Sequence, residues 1–531
     1  MTSRVRTQHV QTYDCTLRDG EQCEGVSLSL KDKLRIVERL DAFGIDIIEG
    51  GFPASNPKDI EFFERVAHMN LAHAQIAAFG STCHKGVPAD QDRELQDLLA
   101  SHAPIVTIVG KSWDKQVREA LRTTLEENLR MIGDSIRFLK DSDVSVIFDA
   151  EHFFDGYRAN PSYALATIVE AAHAGADTID LCETNGGMLP FDVSDIVSHV
   201  VKELPECQIG IHCHQDAGCA VANTLAGVRA GATHIQATVN GYGERVGNAD
   251  LLTVIADLQL KMGYRCVDDL SQLTHVAQFV AETCNRALPA HHPYTGAAAF
   301  AHKGGLHASA VSRDATLYEH IDPAQVGNHD HILVSELAGR ASLLSKAASL
   351  GFDLRDHPDV VAQVLAKVKD REALGYSYET ADGSLALLIA RTLGVYQPHF
   401  TLESFRVIVD DREDTGALAK DASSEATIKI HVAGDRFVAT GEGIGPVGAL
   451  DNALRMAIGT SYPELDAIEL VDFKVRILDG NVGTGAVTRV IIVTSDGEES
   501  WGTVGVSDNI IEASWNALVE SIEYGLMRMG K

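Results

Sequence analysis

Along the first 290 or so residues, short apolar runs alternate with longer stretches whose apolar residues fall at helical spacing. The runs are HVQTYDCTL (9–17), IDIIEGG (45–51), AQIAAFG (74–80), PIVTIVG (104–110), VSVIFDAE (144–151), DTIDLCET (177–184), QIGIHCHQ (208–215) and THIQATVNG (233–241). Between them lie segments such as LKDKLRIVERLDAFG (30–44) and AVANTLAGVRAGA (220–232), each with a glycine near the end where a left-handed cap is needed. Strand–helix alternation builds a parallel sheet with helical crossovers. Eight such units in this length predict a closed (β/α)8 TIM barrel rather than an open doubly wound sheet. No GxGxxG follows the first run, which also argues against a dinucleotide fold.

The rest of the 531 residues divides in two. Residues 291–400 read as an irregular, mostly helical linker region. It contains the His-rich turn AFAHKGGLHASAV (299–311), which reaches toward an active site, its own or a neighbour's. Residues 401–531 read as a separate α+β domain with an internal duplication: 426–454 overlays 490–518 without a gap at an offset of 64. Phe437 then matches Trp501, Gly441 matches Gly505, and the Asn-Ala-Leu at 452–454 matches that at 516–518. Each copy reads as strand, turn, strand, Gly-containing loop and helix. Such a module serves for dimerisation or for a shared small-molecule regulatory site.

Composition removes several function classes. A net charge of −30 leaves no basic excess to displace counterions from nucleic acid, although a local basic pocket still suits a small anion. No apolar run approaches the roughly 20 residues that span a bilayer, and the N-terminal MTSRVRTQHV lacks the apolar core of a signal peptide. The nine cysteines are odd in number, scattered and free of any CxxC pair, as expected of reduced thiols in a cytoplasmic protein. Cys213 and Cys219 lie near two histidines, but their spacing fits no familiar zinc pattern.

A barrel of this kind places its active site at the C-terminal ends of its strands. Arg18 and Asp19 follow the first run, Glu49 lies in the second, Asp149 and Glu151 in the fifth, Glu183 and Thr184 in the sixth, His212 and His214 in the seventh. NGYGERVGN (240–248) follows the eighth. Two residues apart on a strand, His212 and His214 face the same side and can chelate one metal. Asp19 supplies an anionic oxygen and Asn248 a neutral amide oxygen, a set that suits Mg²⁺, Mn²⁺ or Zn²⁺. A 2-oxo acid chelating that ion has its carbonyl polarised. Arg18 can then stabilise the alkoxide formed when a carbon nucleophile attacks. Thr184 can hydrogen-bond the acid's carboxylate. Glu151 is a candidate base, its alternative being a structural ion pair with a lysine or arginine.

TLRDGEQ (16–22), HCHQDAG (212–218) and NGYGERVGN (240–248) resemble the signatures of the 2-isopropylmalate, homocitrate and citramalate synthase family, and GTGAV…SWNAL near the C-terminus resembles that family's allosteric domain. The resemblance spans nearly the whole chain. It implies a Claisen-type condensation of acetyl-CoA with a 2-oxo acid followed by thioester hydrolysis. It implies metal ligation by Asp19, His212, His214 and Asn248, oxo-acid binding by Arg18 and Thr184, and a catalytic role for Glu151. His307 in GGLHAS and Tyr318 in TLYEHIDPAQVG match residues that the family donates from the partner subunit of a homodimer. GGFPASNPKD (50–59), GSTCHKG (80–86), VTIVGKSWD (106–114) and EHFFDGYRAN (151–160) look like the long-form citramalate-forming branch. That branch implies pyruvate as acceptor, an entry point to isoleucine synthesis, and isoleucine as the effector of the duplicated domain, with the effector-binding residues unassigned. Two positions depart from the family pattern. Cys15 stands where threonine is usual, and Gln215 stands where asparagine is usual.

Four other readings compete. One is a 2-isopropylmalate synthase using 2-oxoisovalerate. A second is an acyl-CoA lyase or aldolase on the same barrel, a class that ordinarily lacks the duplicated domain. A third is a carboxyltransferase, although no AMKM carrier stretch occurs. The fourth is an amino-acid sensor with a dead barrel, against which the intact Asp19, His212, His214 and Asn248 set argues.

Overall fold

The computed structural model describes residues 8–53, 57–302, 310–311, 313–329, 331–332, 339–409, 424–478 and 486–530. They fall into two compact units, one of residues up to 300 with 321–329, the other of 301–320 with 330 onward.

In the first unit eight parallel strands close a barrel in sequence order. They are β1 (Gln11–Asp14), β2 (Ile47–Gly51), β3 (Gln75–Ser81), β4 (Ile105–Lys111), β5 (Ser145–Glu151), β6 (Thr178–Glu183), β7 (Gln208–Cys213) and β8 (His234–Ala237). β8 returns to pair with β1, Gln11 opposite His234 and Asp14 opposite Ala237. The connecting helices end and begin as the sequence dictates. Ser29 and Asp32 form a reciprocal capping box at the start of helix Leu30–Phe43, and Gly44, at φ 95°, closes it. Asn160 caps helix Pro161–Ala174, whose first residue is a proline.

The pleat sorts each strand between two environments. Outward-facing residues, namely Val146, Phe148 and Ala150 on β5 and Ile209, Ile211 and Cys213 on β7, enter the large core between barrel and helices. Inward, the lower layer is apolar, with Tyr13, Ile47, Ala77, Ile105 and Ile147 clustered. One step further up each strand the inward residues become Glu49, Asp149, Asp180 and His212, all buried. The apolar floor thus carries a polar tier toward the strands' C-terminal ends.

The terminal strands are shorter than the sequence predicts. β1 stops at Asp14 because its carboxylate accepts hydrogen bonds from the Thr16 N–H and hydroxyl, pulling the chain out of the ladder. Arg18 and Asp19 therefore sit on a turn closed by Gly20 N–H to the Cys15 carbonyl. Beyond β8, Asn240 takes φ 60° and ends the extended backbone.

The second unit opens with a two-residue parallel pair, β9 (Ala301–His302) and β10 (His331–Ile332), and continues with helices Arg340–Ser349, Pro358–Ala373 and Asp382–Leu393. Two antiparallel three-stranded sheets follow: β11 (Phe400–Val409), β12 (Ser424–Val432) and β13 (Asp435–Gly443), then β14 (Glu469–Ile477), β15 (Thr488–Ser495) and β16 (Ser500–Ser507). Helix Pro446–Ile458 follows the first sheet and helix Ile510–Arg528 the second. The duplication is real, and each copy carries one strand more than the sequence predicts. β11 and β14 begin 69 residues apart rather than 64, so a gapless overlay misses them. The matched glycines have one cause. A Cβ on Gly441 would lie 2.4 Å from the Ala453 nitrogen, and one on Gly505 would lie 1.9 Å from the Ala513 carbonyl. In both copies the helix backbone presses directly on the strand. Helix Asp382–Leu393 joins this core through Ala386 and Leu387, and its Ser384 hydroxyl accepts from the Val504 N–H at 2.9 Å. Among the described residues no helix is long and apolar enough to cross a membrane.

Candidate metal centre and active site

The polar tier opens into a cavity of about 280 Å³ lined by Arg18, Asp19, Glu151, Thr184, His212 and His214, together with Phe52, Phe79, Val109, Asp149, Glu244 and Arg245 among others. Of the barrel's strand-end residues picked out in the sequence, Glu49, Glu183 and Asn248 do not line it. Asn248 lies next to His214 through an isolated antiparallel bridge.

Asp19 and His214 each approach His212. His212 Nε2 lies 3.4 Å from Asp19 Oδ2 and 3.4 Å from His214 Nε2. Donor atoms that share one ion at about 2.1 Å lie roughly 3–3.4 Å apart, and both separations from His212 are of that order; the described residues whose donor atoms all lie within 4.8 Å of one another here are Asp19, His212 and Cys15. Asp19 Oδ1, His214 Nδ1 and Asn248 Oδ1 are buried and have no hydrogen-bond partner among the described residues. Buried polar atoms are ordinarily paired; a cation answers the deficit at Asp19 Oδ1 and Asn248 Oδ1, whereas His214 Nδ1 lies on the ring edge away from the Nε2 that faces His212. Asn248 is oriented for a cation: its amide nitrogen donates to the Tyr242 carbonyl at 3.0 Å, which leaves the side-chain oxygen as the free end.

Gln236, on the inward face of β8, sets the histidine. Its Oε1 lies 3.3 Å from His212 Nδ1 and its Nε2 donates to Asp149 Oδ1 at 2.9 Å. With Nδ1–H engaged there, Nε2 of His212 is the lone-pair nitrogen, an arrangement typical of ligating histidines. Without a metal the charges redistribute. Burial opposes protonation of His212, but the Asp19 hydrogen bond and the Asp19, Asp180 and Asp149 charges push it up to about 9. Burial and the His212 charge hold His214 down to about 4. Burial works against ionisation of Asp19 as well, yet Arg18 and His212 keep its carboxyl well below the usual range.

Arg18 is clamped. Its Nε and Nη2 donate to the two oxygens of Glu49, which is wholly buried on β2. The guanidinium stacks 3.8 Å over Phe79, whose ring meets Phe52 edge-on at 5.0 Å. Nη1 stands 3.6 Å from Asp19 Oδ2. The Arg18–Asp19 juxtaposition is thus no surface pair: it presents a fixed cation beside the candidate ligand set.

Glu151 ends β5 in the cavity and is ion-paired with Lys111, the last residue of β4. The structural pairing that the sequence left open is present, and the carboxylate, 24% exposed, also lines the cavity. Thr184 Oγ1 accepts from the His152 N–H at 2.9 Å, so its own proton is free to be donated. Glu183, by contrast, turns away to accept from the Gly187 and Met188 N–H groups, and burial pushes its carboxyl up to about 7.

Cys182 lines the cavity, and Cys213 does not. Cys213 belongs to the outer core. Cys15 lies near Asp19 and His212, but its thiol donates to the Ala237 carbonyl at 3.2 Å, and burial raises it well above the thiolate range. Asp149, Asp180 and Cys182 make a second close cluster one step deeper; burial pushes Asp149 up to about 7 and Asp180 well above the usual carboxylate range. His307 lies outside the described residues. Tyr318, in the second unit, is 46% exposed.

The sequence reading gave no role to Glu49 beyond its place at the rim, and missed Lys111, Gln236, Phe79 and Arg245. Gln236 carried a signal, since it occupies an inward position of a predicted strand. Arg245 lay inside a motif already singled out.

The HMGL-like family profile matches residues 9–280, the homocitrate synthase post-HMGL domain-like profile residues 294–374, and the LeuA allosteric (dimerisation) domain profile residues 379–526. An (R)-citramalate synthase of Streptomyces coelicolor is 50% identical over 98% of this chain and 97% of its own. The chain belongs to the (R)-citramalate synthase family. A second member, from Aquifex aeolicus, is 47% identical over 98% of both chains. A probable 2-isopropylmalate synthase of Methanopyrus kandleri is 30% identical over 97% of both. The family is one of acyl-condensing transferases, and the barrel, the helical linker and the C-terminal domain all have their counterparts in it.

Proposed function

We propose that this chain condenses acetyl-CoA with pyruvate and hydrolyses the product thioester, releasing (R)-citramalate and CoA. The observation that carries this reading is His212 within 3.4 Å of both Asp19 and His214, beside a clamped Arg18, in a chain half identical to an (R)-citramalate synthase over nearly its full length.

Asp19, His212, His214 and Asn248 hold a divalent cation, Mg²⁺, Mn²⁺ or Zn²⁺, which when bound supplies Lewis-acid polarisation of the oxo-acid carbonyl. Arg18, immobilised by Glu49 and Phe79, directs its remaining N–H groups at the oxygen where negative charge develops. The Thr184 hydroxyl, already accepting from His152, donates to the pyruvate carboxylate. Glu151, held by Lys111, takes a proton from the acetyl methyl group. The carbanion attacks the keto carbon, and the alkoxide so formed is protonated. Water then cleaves the thioester of citramalyl-CoA, leaving a carboxylate and the CoA thiol. His307 and Tyr318 act from the partner subunit of a homodimer. The irreversible hydrolysis suits a first committed step of isoleucine synthesis, with isoleucine binding in the duplicated domain. The division into barrel (1–290), linker (291–400) and regulatory domain (401–531) follows these roles. Nine free cysteines suit a cytoplasmic setting.

The test is thiol release from acetyl-CoA with pyruvate, 2-oxoisovalerate and 2-oxoglutarate in turn, with the products identified by mass. Pyruvate should be strongly preferred. Preference for 2-oxoisovalerate would make the chain a 2-isopropylmalate synthase. Cleavage of citramalyl-CoA without net condensation would make it a lyase.

A further inference from the structure

Arg245 is a bulky residue in a left-handed backbone conformation, φ 59°. Non-glycine residues seldom adopt it, and such geometry persists where the surroundings over-determine it. Here they do. Nε donates to Asp216 Oδ1 at 2.8 Å and Nη2 to Asp216 Oδ2 at 3.0 Å. Nη2 also donates to the Thr184 carbonyl at 2.7 Å.

These bonds join three loops. Thr184 follows β6, Asp216 lies two residues after His214, and Arg245 lies three residues before Asn248. Backbone bonds run along the same seams: Gln215 N–H to the Gly247 carbonyl at 2.9 Å, and Ala217 N–H to the Gly186 carbonyl at 2.8 Å. The contact between the first two loops is tight enough to demand glycine. At Gly186, φ +66°, a Cβ would fall 2.4 Å from Asp216 Oδ2. At 39% and 25% exposure, an isolated Arg245–Asp216 pair would contribute little to stability. Its value lies in what it ties together.

We propose that the Arg245–Asp216 pair is a positioning clasp. It fixes the three rim loops to one another so that Thr184, His214 and Asn248 stand in a single constellation for the metal and the oxo acid. This rests on the ligand set and acceptor site proposed above. Neither clasp residue need touch the reacting atoms.

The test compares Asp216→Asn, Arg245→Lys and the double variant in the full-length protein. Three quantities are measured: Mn²⁺ affinity of the metal-stripped protein by calorimetry, KM for each substrate of the loaded enzyme, and thermal melting. Both single variants should weaken Mn²⁺ binding on the order of tenfold, as loss of groups that orient metal ligands does. Both should raise KM for the oxo acid while KM for acetyl-CoA and the melting temperature hold. The double variant should be no worse than the more severe single, the signature of one shared interaction. Three results would overturn the proposal. One is wild-type Mn²⁺ affinity in both variants. Another is impairment by Arg245→Lys alone, which would make Arg245 a direct substrate contact. The last is affinity that falls only in step with melting temperature. Because Mn²⁺ binding is read without substrates, the clasp is judged separately from the identity of the acceptor.

Discussion

Replacing Arg18 by lysine tests the centre of the proposed chemistry. The guanidinium has five N–H groups. Two are committed to the carboxylate of Glu49, and the plane is held by Phe79. The remaining donors face Asp19 and the cavity. A lysine at this position places a single nitrogen, and the buried Glu49 recruits it, leaving no fixed donor for the developing oxyanion. Loss of one such preorganised donor costs about 3–4 kcal/mol, or roughly 10²–10³ in kcat. The charge is retained, so Glu49 escapes becoming an uncompensated buried anion, a defect of about 3–5 kcal/mol. Arg18→Lys should therefore melt near the wild-type temperature while Arg18→Ala melts well below it. The assay is steady-state release of CoA thiol from acetyl-CoA and pyruvate, with Mn²⁺ binding measured in parallel to show the metal site intact. A lysine variant that keeps nearly the wild-type kcat would refute the assignment of Arg18 to the oxyanion.

Metal binding should be proton-coupled. His212, pushed up to about 9, carries a proton at neutral pH that an incoming ion must displace, whereas His214, held down to about 4, carries none. About one proton should be released per ion at pH 7, and affinity should rise about tenfold per pH unit between roughly pH 5 and 8; calorimetry in buffers of differing ionisation enthalpy counts the protons, and zero or two would contradict the charge assignment. Glu151→Gln should lower kcat by about 10²–10⁴, the range for loss of a positioned base, and deuterium exchange into the acetyl methyl group should be lost with it. If exchange persists in that variant, the base lies elsewhere. Gly505→Ala should destabilise the C-terminal domain by at least about 1–3 kcal/mol through overpacking against Ala513, read by thermal melting, and unchanged melting would show that the helix can shift away from the strand.

The barrel was legible because its signal is redundant. Eight apolar runs at regular spacing with amphipathic segments between them admit few architectures, and β2 to β7 fall within a residue or two of their predicted bounds. β1 and β8 are shorter because single residues intervene: the Asp14 carboxylate captures Thr16, and Asn240 turns left-handed. Neither effect follows from hydrophobic periodicity. The paired histidines were legible because a two-residue spacing on a strand fixes their common face. Lys111 and Glu49 were not, because each contact depends on register between neighbouring strands, and one sequence gives no measure of register. Arg245 acts across three loops, the least predictable part of the chain. β11 and β14 escaped the repeat because the two copies diverge in length ahead of the strands that match.

The cavity walls bear Asp19, Asp149, Glu151 and Glu244 against Arg18 and Arg245. Arg18 already answers to Glu49, and Arg245 to Asp216. Glu151 is answered by Lys111, and His212, pushed up to about 9, stands against Asp19, so without a metal the chamber offers an incoming α-keto carboxylate no unmatched cation. A dication held there would supply that unmatched positive charge, so initial-rate patterns should show the keto acid adding only after the metal.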